Sequence, residues 1–420
     1  MVTTLDSICT RLSSGGTPSR KNASFFSQDS SGHLWVKSKE LLDRAIVDTE
    51  ERISDEGLAK SAAKYFPEHS VLIAMYGANV GQLGWLRRPA TVNQAISGLV
   101  VDETKADWRF VFYSLIHNRG DLTVKAHGAA QQNLNQDLVR NFSISLPPLA
   151  AQRRIADILF AHDELIENSQ RRIKILEQMA RSLYREWFVD FRFPGHEKLK
   201  FVDSALGRIP EGWEVVNLDT LKAAQANAIN GGPFGSKLGT KDYVSTGVPV
   251  IRGSNLSESG RFDPSGFVFV SPEKAEELRA NLALPGDIVV TQRGTLGQIG
   301  MIPTGIGYDR FVISQSQMKI TLDPTKVNRE YAFFFLRSAE SNQRIKNLAS
   351  SSGVPHINLA VLREFQTLLP PLTLQDEFGR FAFGTETTIE MFSDQIANLR
   401  RTRDLLLPRL LSGQIELRAS

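Results

Sequence analysis

The sequence predicts an α+β fold: two pseudo-repeated mixed α/β domains, each β-rich, joined by two long helices that pair as an antiparallel coiled coil. Three observations predict it. Most of the chain repeats itself once, each copy closes on a Leu-Pro-Pro-Leu segment, and each such segment precedes apolar residues spaced alternately four and three apart. At 420 residues the chain also exceeds what one ordinary hydrophobic core encloses, so more than one domain is the physical expectation.

The repeat opens with Thr4-Leu5-Asp6-Ser7-Ile8 against Asn217-Leu218-Asp219-Thr220-Leu221. Leu34 to Leu41 then matches Pro249 to Leu256, and His69 to Gly77 matches Gly286 to Gly294. In this last pair an apolar run meets a glycine, which predicts two half-buried strands, each ending in a glycine turn. Gly81 to Gly84 matches Gly297 to Gly300, and Gly81 and Gly297 are expected to be structural, supplying φ > 0 at tight turns. Asn93-Gln94 pairs with Ser314-Gln315, and Val139 to Phe142 with Leu362 to Phe365. The aromatic runs Phe110 to Leu115 and Tyr331 to Leu336 match closely, which suits helix faces in a shared core. The offset drifts from 213 between Thr4 and Asn217 to 223 between Leu146 and Leu369, as loops gain residues around a fixed framework.

Proline fixes φ, removes a donor and biases the preceding residue away from helix, so a long helix can begin only after each Pro-Pro pair. After the first, Ile155, Leu159, His162, Ile166, Ser169, Ile173, Leu176, Ala180, Leu183 and Trp187 form a heptad seam. After the second, Phe378, Ala382, Thr385, Ile389, Phe392, Ile396, Leu399, Arg403, Leu406 and Leu410 do the same. Two such helices in one chain can bury their seams against each other, and at about 1.5 Å per residue thirty-odd residues span roughly 50 Å. Asp190 to Trp213, with Pro194-Gly195 and Ile209-Pro210-Glu211-Gly212, reads as a linker, and Pro408 is expected to kink or end the second helix.

Composition narrows the function classes. With 49 Lys and Arg against 46 Asp and Glu, the net charge of +3 is compatible with nucleic-acid binding without arguing for it. The single cysteine, Cys9, excludes an intrachain disulfide framework and a cysteine zinc cage, fits a reducing cytoplasm, and is expected to act as a small buried hydrophobe. No basic-then-apolar leader and no run of eighteen apolar residues occurs, so secretion and membrane spanning are not expected. Neither Walker A, H-E-x-x-H nor dinucleotide glycine motifs are present, and the seven histidines show no ligand spacing.

Leu146 to Leu149 followed by Gln152, Leu183-Tyr-Arg-Glu-Trp-Phe-Val-Asp-Phe191, Ile209 to Trp213 and Leu407-Pro-Arg-Leu-Leu-Ser-Gly413 stand in order along the chain. Together with the two-copy layout they resemble the framework of type I restriction-modification specificity subunits. The resemblance implies target-recognition domains at 1–148 and 214–371, a central spacer helix at 149–189, a linker at 190–213 and a second spacer helix at 372–413. It implies a subunit that is not an enzyme, reads a split, asymmetric duplex DNA site, and holds two methyltransferase subunits and, in the full complex, restriction subunits. S-adenosylmethionine is then expected on the methyltransferase partner, with no cofactor or metal in this chain.

Base reading requires side chains that hydrogen-bond base edges, and others that fix register on phosphates. Loops between the paired framework segments supply the candidates. In the first copy these are Ser19, Arg20 and Lys21, Lys37, Ser38 and Lys39, Tyr76 and Asn79, and Gln131 with Gln132. In the second they are Ser236 and Lys237, Arg252, Ser254 and Asn255, Gln292, Arg293 and Thr295, and Ser351, Ser352 and His356. Lys37 and Arg252 stand out because both copies put a cation just after a strand, although a strand-end cation is often simply solvated. Gln131 and Gln132 could contact adenine in bidentate fashion. Arg400, Arg401 and Arg403 could track phosphates, flank a coiled coil or meet a subunit. The rival readings are a scaffold whose two β-rich modules bind proteins or glycans, and an enzyme with an unrecognised site. Steep salt sensitivity of duplex binding would separate the DNA reader from both.

Overall fold

The computed structural model describes residues 1–27, 29, 31–127, 133–256, 262–348 and 356–415, with the backbone alone at 125–127. It divides into two compact units, Met1–Arg172 with Met391–Ser420, and Ile173–Glu390.

In the first unit, strands run in the order Cys9–Ser14, Ile96–Val101, Val71–Ala74, Leu83–Leu86, Arg44–Ile46. A second sheet has the order Phe26–Ser27, Arg52–Ile53, His33–Val36, Ala90–Val92, Tyr65–Phe66. The second unit repeats the scheme. Ile229–Gly231, Gln317–Ile320, Ile288–Thr291 and Ile299–Met301 form one sheet, and Tyr243–Val244, Val268–Val270, Val248–Ile251, Phe311–Ile313 and Leu282–Ala283 the other. Both copies share a parallel pair, His33–Val36 beside Ala90–Val92 and Val248–Ile251 beside Phe311–Ile313, and the first has another, Arg44–Ile46 beside Leu83–Leu86.

The expectation of half-buried central strands is corrected: every residue of Val71–Ala74 and Ile288–Thr291 is buried. Successive side chains point to opposite faces. Val71 and Ile73 therefore join the core under the helices while Leu72 and Ala74 join the core between the sheets, and Ile288 and Val290 split from Val289 likewise. Gly77, Gly294, Gly81 and Gly297 all have positive φ. At Gly81 a Cβ would lie 2.7 Å from Thr123 Cγ2, and at Gly297 one would lie 2.4 Å from Asn342 Oδ1, so a side chain at either turn would also have to displace its neighbour's.

The aromatic runs lie on helices Trp108–His117 and Arg329–Arg337, most of whose side chains are buried. Asp107 caps the first by accepting from Arg109 and Phe110 N–H; Asn328 caps the second by accepting from Glu330 and Tyr331 N–H. A buried glutamine locks each cap to the Pro-Pro turn. Gln152 accepts from Asp107 N–H at 3.0 Å and donates to Pro147 O at 2.8 Å, while Gln375 accepts from Asn328 N–H at 3.0 Å and donates to Pro370 O at 2.7 Å. The repeat extends to Arg140 and Arg363, which donate to Leu12 O and Ile229 O, and to Lys105 and Lys326, which donate to Ser7 O and Thr220 O.

The long helices are Leu149–Phe188 and Leu372–Leu411. Within the first unit Ile155, Leu159, Ile166 and Ser169 are buried from one helix, and Ile396, Leu407 and Leu410 from the other; Arg403 pairs with Asp163, which also accepts from Tyr113 Oη. Within the second unit the buried set includes Ile173, Ala180, Tyr184 and Phe188 with Phe378, Ala382, Thr385 and Ile389. The seam therefore slips by one residue from the expected Leu183 and Trp187, which are half-buried. Aromatic packing drives the slip, because the Tyr184 and Phe188 rings lie 6.2 and 4.7 Å from that of Tyr331. Pro408 stays inside the helix, which ends three residues later. The expected linker contains a hairpin, Phe201–Ser204 with Gly207–Pro210, and Trp213 is buried against Phe193 and Phe188. Cys9 is partly buried, and burial pushes its thiol up to about 12.

Candidate nucleic-acid interface

In each unit three strands deliver loops to one end of the paired sheets. Backbone bonds set them equivalently: Asn93 N–H donates to Val36 O and Ser314 N–H to Ile251 O, both at 2.9 Å. Likewise Ala74 N–H donates to Gln82 O at 2.9 Å and Thr291 N–H to Gln298 O at 3.0 Å.

In the second unit these loops enclose an open cleft of about 650 Å³. Its lining includes Arg252, Ser254, Thr291, Arg293, Thr295, Gln298 and Ser314 to Gln317, and, among the described residues, no carboxylate. Four sequence candidates, Arg252, Ser254, Arg293 and Thr295, thus share one cleft. Gln292 and His356 adjoin it: Gln292 Nε2 donates to Gln315 O at 2.5 Å, and Arg293 bridges His356 through the backbone. Ser236 and Lys237 are exposed on the loop whose Gly235 carbonyl accepts from Gln315 Nε2. Asn255 is not presented to a ligand. It is fully buried, its Oδ1 accepting from Arg252 N–H and its Nδ2 donating to Asp263 O and Ser265 O. Ser351 and Ser352 lie outside the described residues.

In the first unit Lys37, Arg20 and Lys39 are engaged. Lys37 Nζ meets Glu51 at 2.7 Å and Glu50 at 3.1 Å, Arg20 meets Glu51 at 2.7 Å, and Lys39 meets Glu50 at 2.6 Å. Burial alone would pull the Lys37 pKa down, but its bonds and charge pairing with Glu51 and Glu50 reverse that and hold it above its ordinary value. Arg252, at the matching place, donates instead to Gly266 O at 2.7 Å. Ser38 and Lys39 lie on the short turn Ser38–Glu40, whose Glu40 carboxylate accepts from Lys37 N–H. Lys21 and Ser19 are exposed, Tyr76 is exposed beyond its strand, and Asn79 is half-buried in the turn Gly77–Asn79. Gln131 and Gln132 lie outside the described residues. Of the arginines on the second long helix, Arg403 is committed to Asp163, while Arg400 and Arg401 are exposed.

Three features escaped the sequence reading. Gln298 and Gln317 form a polar floor with Thr291 where the first unit has Gln82, Ile96 and Ala74. Phe234 stands 77% exposed on the loop beside the cleft. Thr295 and Gln298 also border a second depression of about 750 Å³ that carries Arg181, Arg185, Arg337 and Lys346 and, among the described residues, one carboxylate, Glu340. Burial, together with neighbouring Arg181, pulls Arg337 down to about 10. The repeated glutamines Gln94 and Gln315 were a usable signal for the cleft, since both touch the loop after the glycine pair: Thr17 contacts Gln94, and Gly235 accepts from Gln315.

Among the described residues no group of three or more His, Cys, Asp or Glu could hold a metal ion, and no helix is long and apolar enough to cross a membrane. A duplicated β-rich scaffold with a polar loop surface at its strand ends, each copy continuing into a long helix, defines a two-domain recognition class. Residues 2–178 and 210–399 match the type I restriction modification DNA specificity domain, and the chain belongs to that family. It is similar to the type I restriction enzyme MjaIX specificity subunit of Methanocaldococcus jannaschii, 20% identical over 413 residues, 96% of this chain and 91% of that one. The MjaVIII specificity subunit of the same organism is 23% identical over 355 residues, 84% of this chain and 80% of that one. In fold it resembles the type I restriction-modification S subunit from M. genitalium, with a TM-score of 0.64 at 17% identity, covering 98% of this chain and 95% of that one.

Proposed function

We propose that this chain recognises a bipartite, asymmetric duplex DNA site, one half-site per unit, and scaffolds the methyltransferase and restriction subunits of a type I restriction-modification complex in the cytoplasm. It carries out no chemistry itself, and S-adenosylmethionine binds the methyltransferase partner. The observation that carries this reading is the second-unit cleft, where arginine, amide and hydroxyl groups converge with no carboxylate among the described residues. Guanidinium and amide groups are the side chains that make paired contacts to purine edges in the major groove. The first unit has the same loop framework with different side chains, which supports a different half-site.

Co-expression with a methyltransferase subunit and mapping of methylated adenines tests the proposal. A single split, asymmetric motif is the expected result; a stable complex that methylates nothing would favour a scaffold without DNA reading. Inserting one heptad into both long helices should lengthen the gap and leave the half-sites alone, and altered half-sites would refute the spacer role.

A further inference from the structure

A large apolar side chain left in water forgoes the favourable free energy of burial. Phe234 is 77% exposed, the largest exposure of any aromatic side chain described. Its loop is not loosely attached. Gly232 N–H donates to Gln317 O at 2.8 Å, and a Cβ on Gly232 would lie 1.9 Å from Ser314 O, so the loop base is pressed onto the cleft wall. On the far side of Phe234, Gly235 takes φ +63 and its carbonyl accepts from Gln315 Nε2. The ring is thus projected from a fixed base at the rim of the cleft. The first unit builds the same base, with Gly15 pressed onto Val92 O and Thr17 touching Gln94, but its tip is Pro18-Ser19-Arg20.

We propose that Phe234 is a base-contacting residue of the second unit, its ring packing on the apolar surface of DNA bases beside the polar cleft. This rests on the DNA-reading function proposed above and assigns that reader an apolar contact. Duplex DNA is the occupant the surroundings favour, because the described residues of the adjoining cleft offer cations and amides without a carboxylate and Lys237 follows on the same exposed loop. Apolar contact with the thymine methyl, or a wedge between base steps, is the chemistry such a ring supplies.

The test uses the full chain co-expressed with its methyltransferase subunit, comparing wild type, Phe234→Ala and Phe234→Leu. For Phe234→Ala we expect cognate affinity to fall about ten- to a hundredfold, the range of a lost aromatic–base contact. The slope of log affinity against log salt should stay unchanged, since no phosphate contact is removed. The methylation motif should relax in the half-site read by the second unit, the other half staying intact, and Phe234→Leu should restore part of the loss. Wild-type affinity and motif for Phe234→Ala would overturn the inference. So would an unchanged affinity combined with failure to assemble, which would make Phe234 a protein contact, or relaxation of both half-sites together, which would make it structural. If wild type itself yielded no motif, the DNA-reading function would fail first, so the two failures are distinguishable.

Discussion

The two units carry the same hydrogen-bonded frame around opposite interiors. In the first, Phe66 and Ala90 face each other across neighbouring strands; at the matching pair in the second, Ala283 faces Phe311, and all four are fully buried. Gly98 lies against the Phe66 ring, where an added Cβ would come within 2.3 Å, while its counterpart Lys319 occupies a buried site in the second unit. At the loop surface, Lys37 and Arg20 are tied to carboxylates in one unit, and Arg252 to a carbonyl in the other. Volume is conserved pair by pair rather than residue by residue, so one scaffold accommodates a different side-chain set without moving its strands.

The strongest way to break this comparison is to exchange the compensated pair. Phe66→Ala alone should cost about 3–5 kcal/mol through the cavity it leaves. Adding Ala90→Phe should recover a substantial part of that, read as a coupling energy in a double-mutant cycle of chemical denaturation. Simple additivity of the two changes would show that the pairs do not compensate.

The frame should respond equally in both units. Gln152→Ala and Gln375→Ala each strand one buried and one half-buried backbone group, costing about 2 kcal/mol apiece. Urea titrations giving costs that differ by more than the extrapolation error would mean the two locks are not equivalent.

The cleft floor should respond in one unit only. Combining Thr291→Ala with Gln317→Ile gives the second unit the floor of the first, and should alter base preference in the second half-site by roughly 1–3 kcal/mol per position. Methylation mapping that shows the first half-site changing would sink the idea of independent readers. The smallest effect is expected from Lys346→Ala beside the cleft, which should lower the salt slope by about 0.9 without changing the motif if it meets one phosphate. An unchanged slope in salt-titrated binding removes Lys346 from the DNA contact.

Much of the frame was legible because its signals are local: glycines at positive φ, Pro-Pro turns, and heptads that single out Ile155, Leu159, Phe378 and Ala382. The seam could not be followed to Tyr184 and Phe188, because large apolar residues also occupy 183 and 187 and only packing against Tyr331 selects between the two registers. A four-residue apolar run such as Val71–Ala74 likewise reads equally well with one face buried or two. At the loops, the sequence marks polar residues but not their employment. Asn255 and Lys37 look alike as candidates, yet one is sealed inside the chain and the other held by Glu50 and Glu51. Phe234 was passed over because an aromatic is ordinarily expected in a core.

The first unit is assembled from two stretches of chain, with Leu407 and Leu410 in the same core as Leu5 and Ile155. The second unit is one uninterrupted stretch. On the ribosome, therefore, the unit whose synthesis starts later can finish folding earlier, while the core of the first lacks Leu407 and Leu410 until the helix Leu372–Leu411 emerges. A stop shortly before residue 391 would thus damage the unit to which Met1–Arg172 belongs.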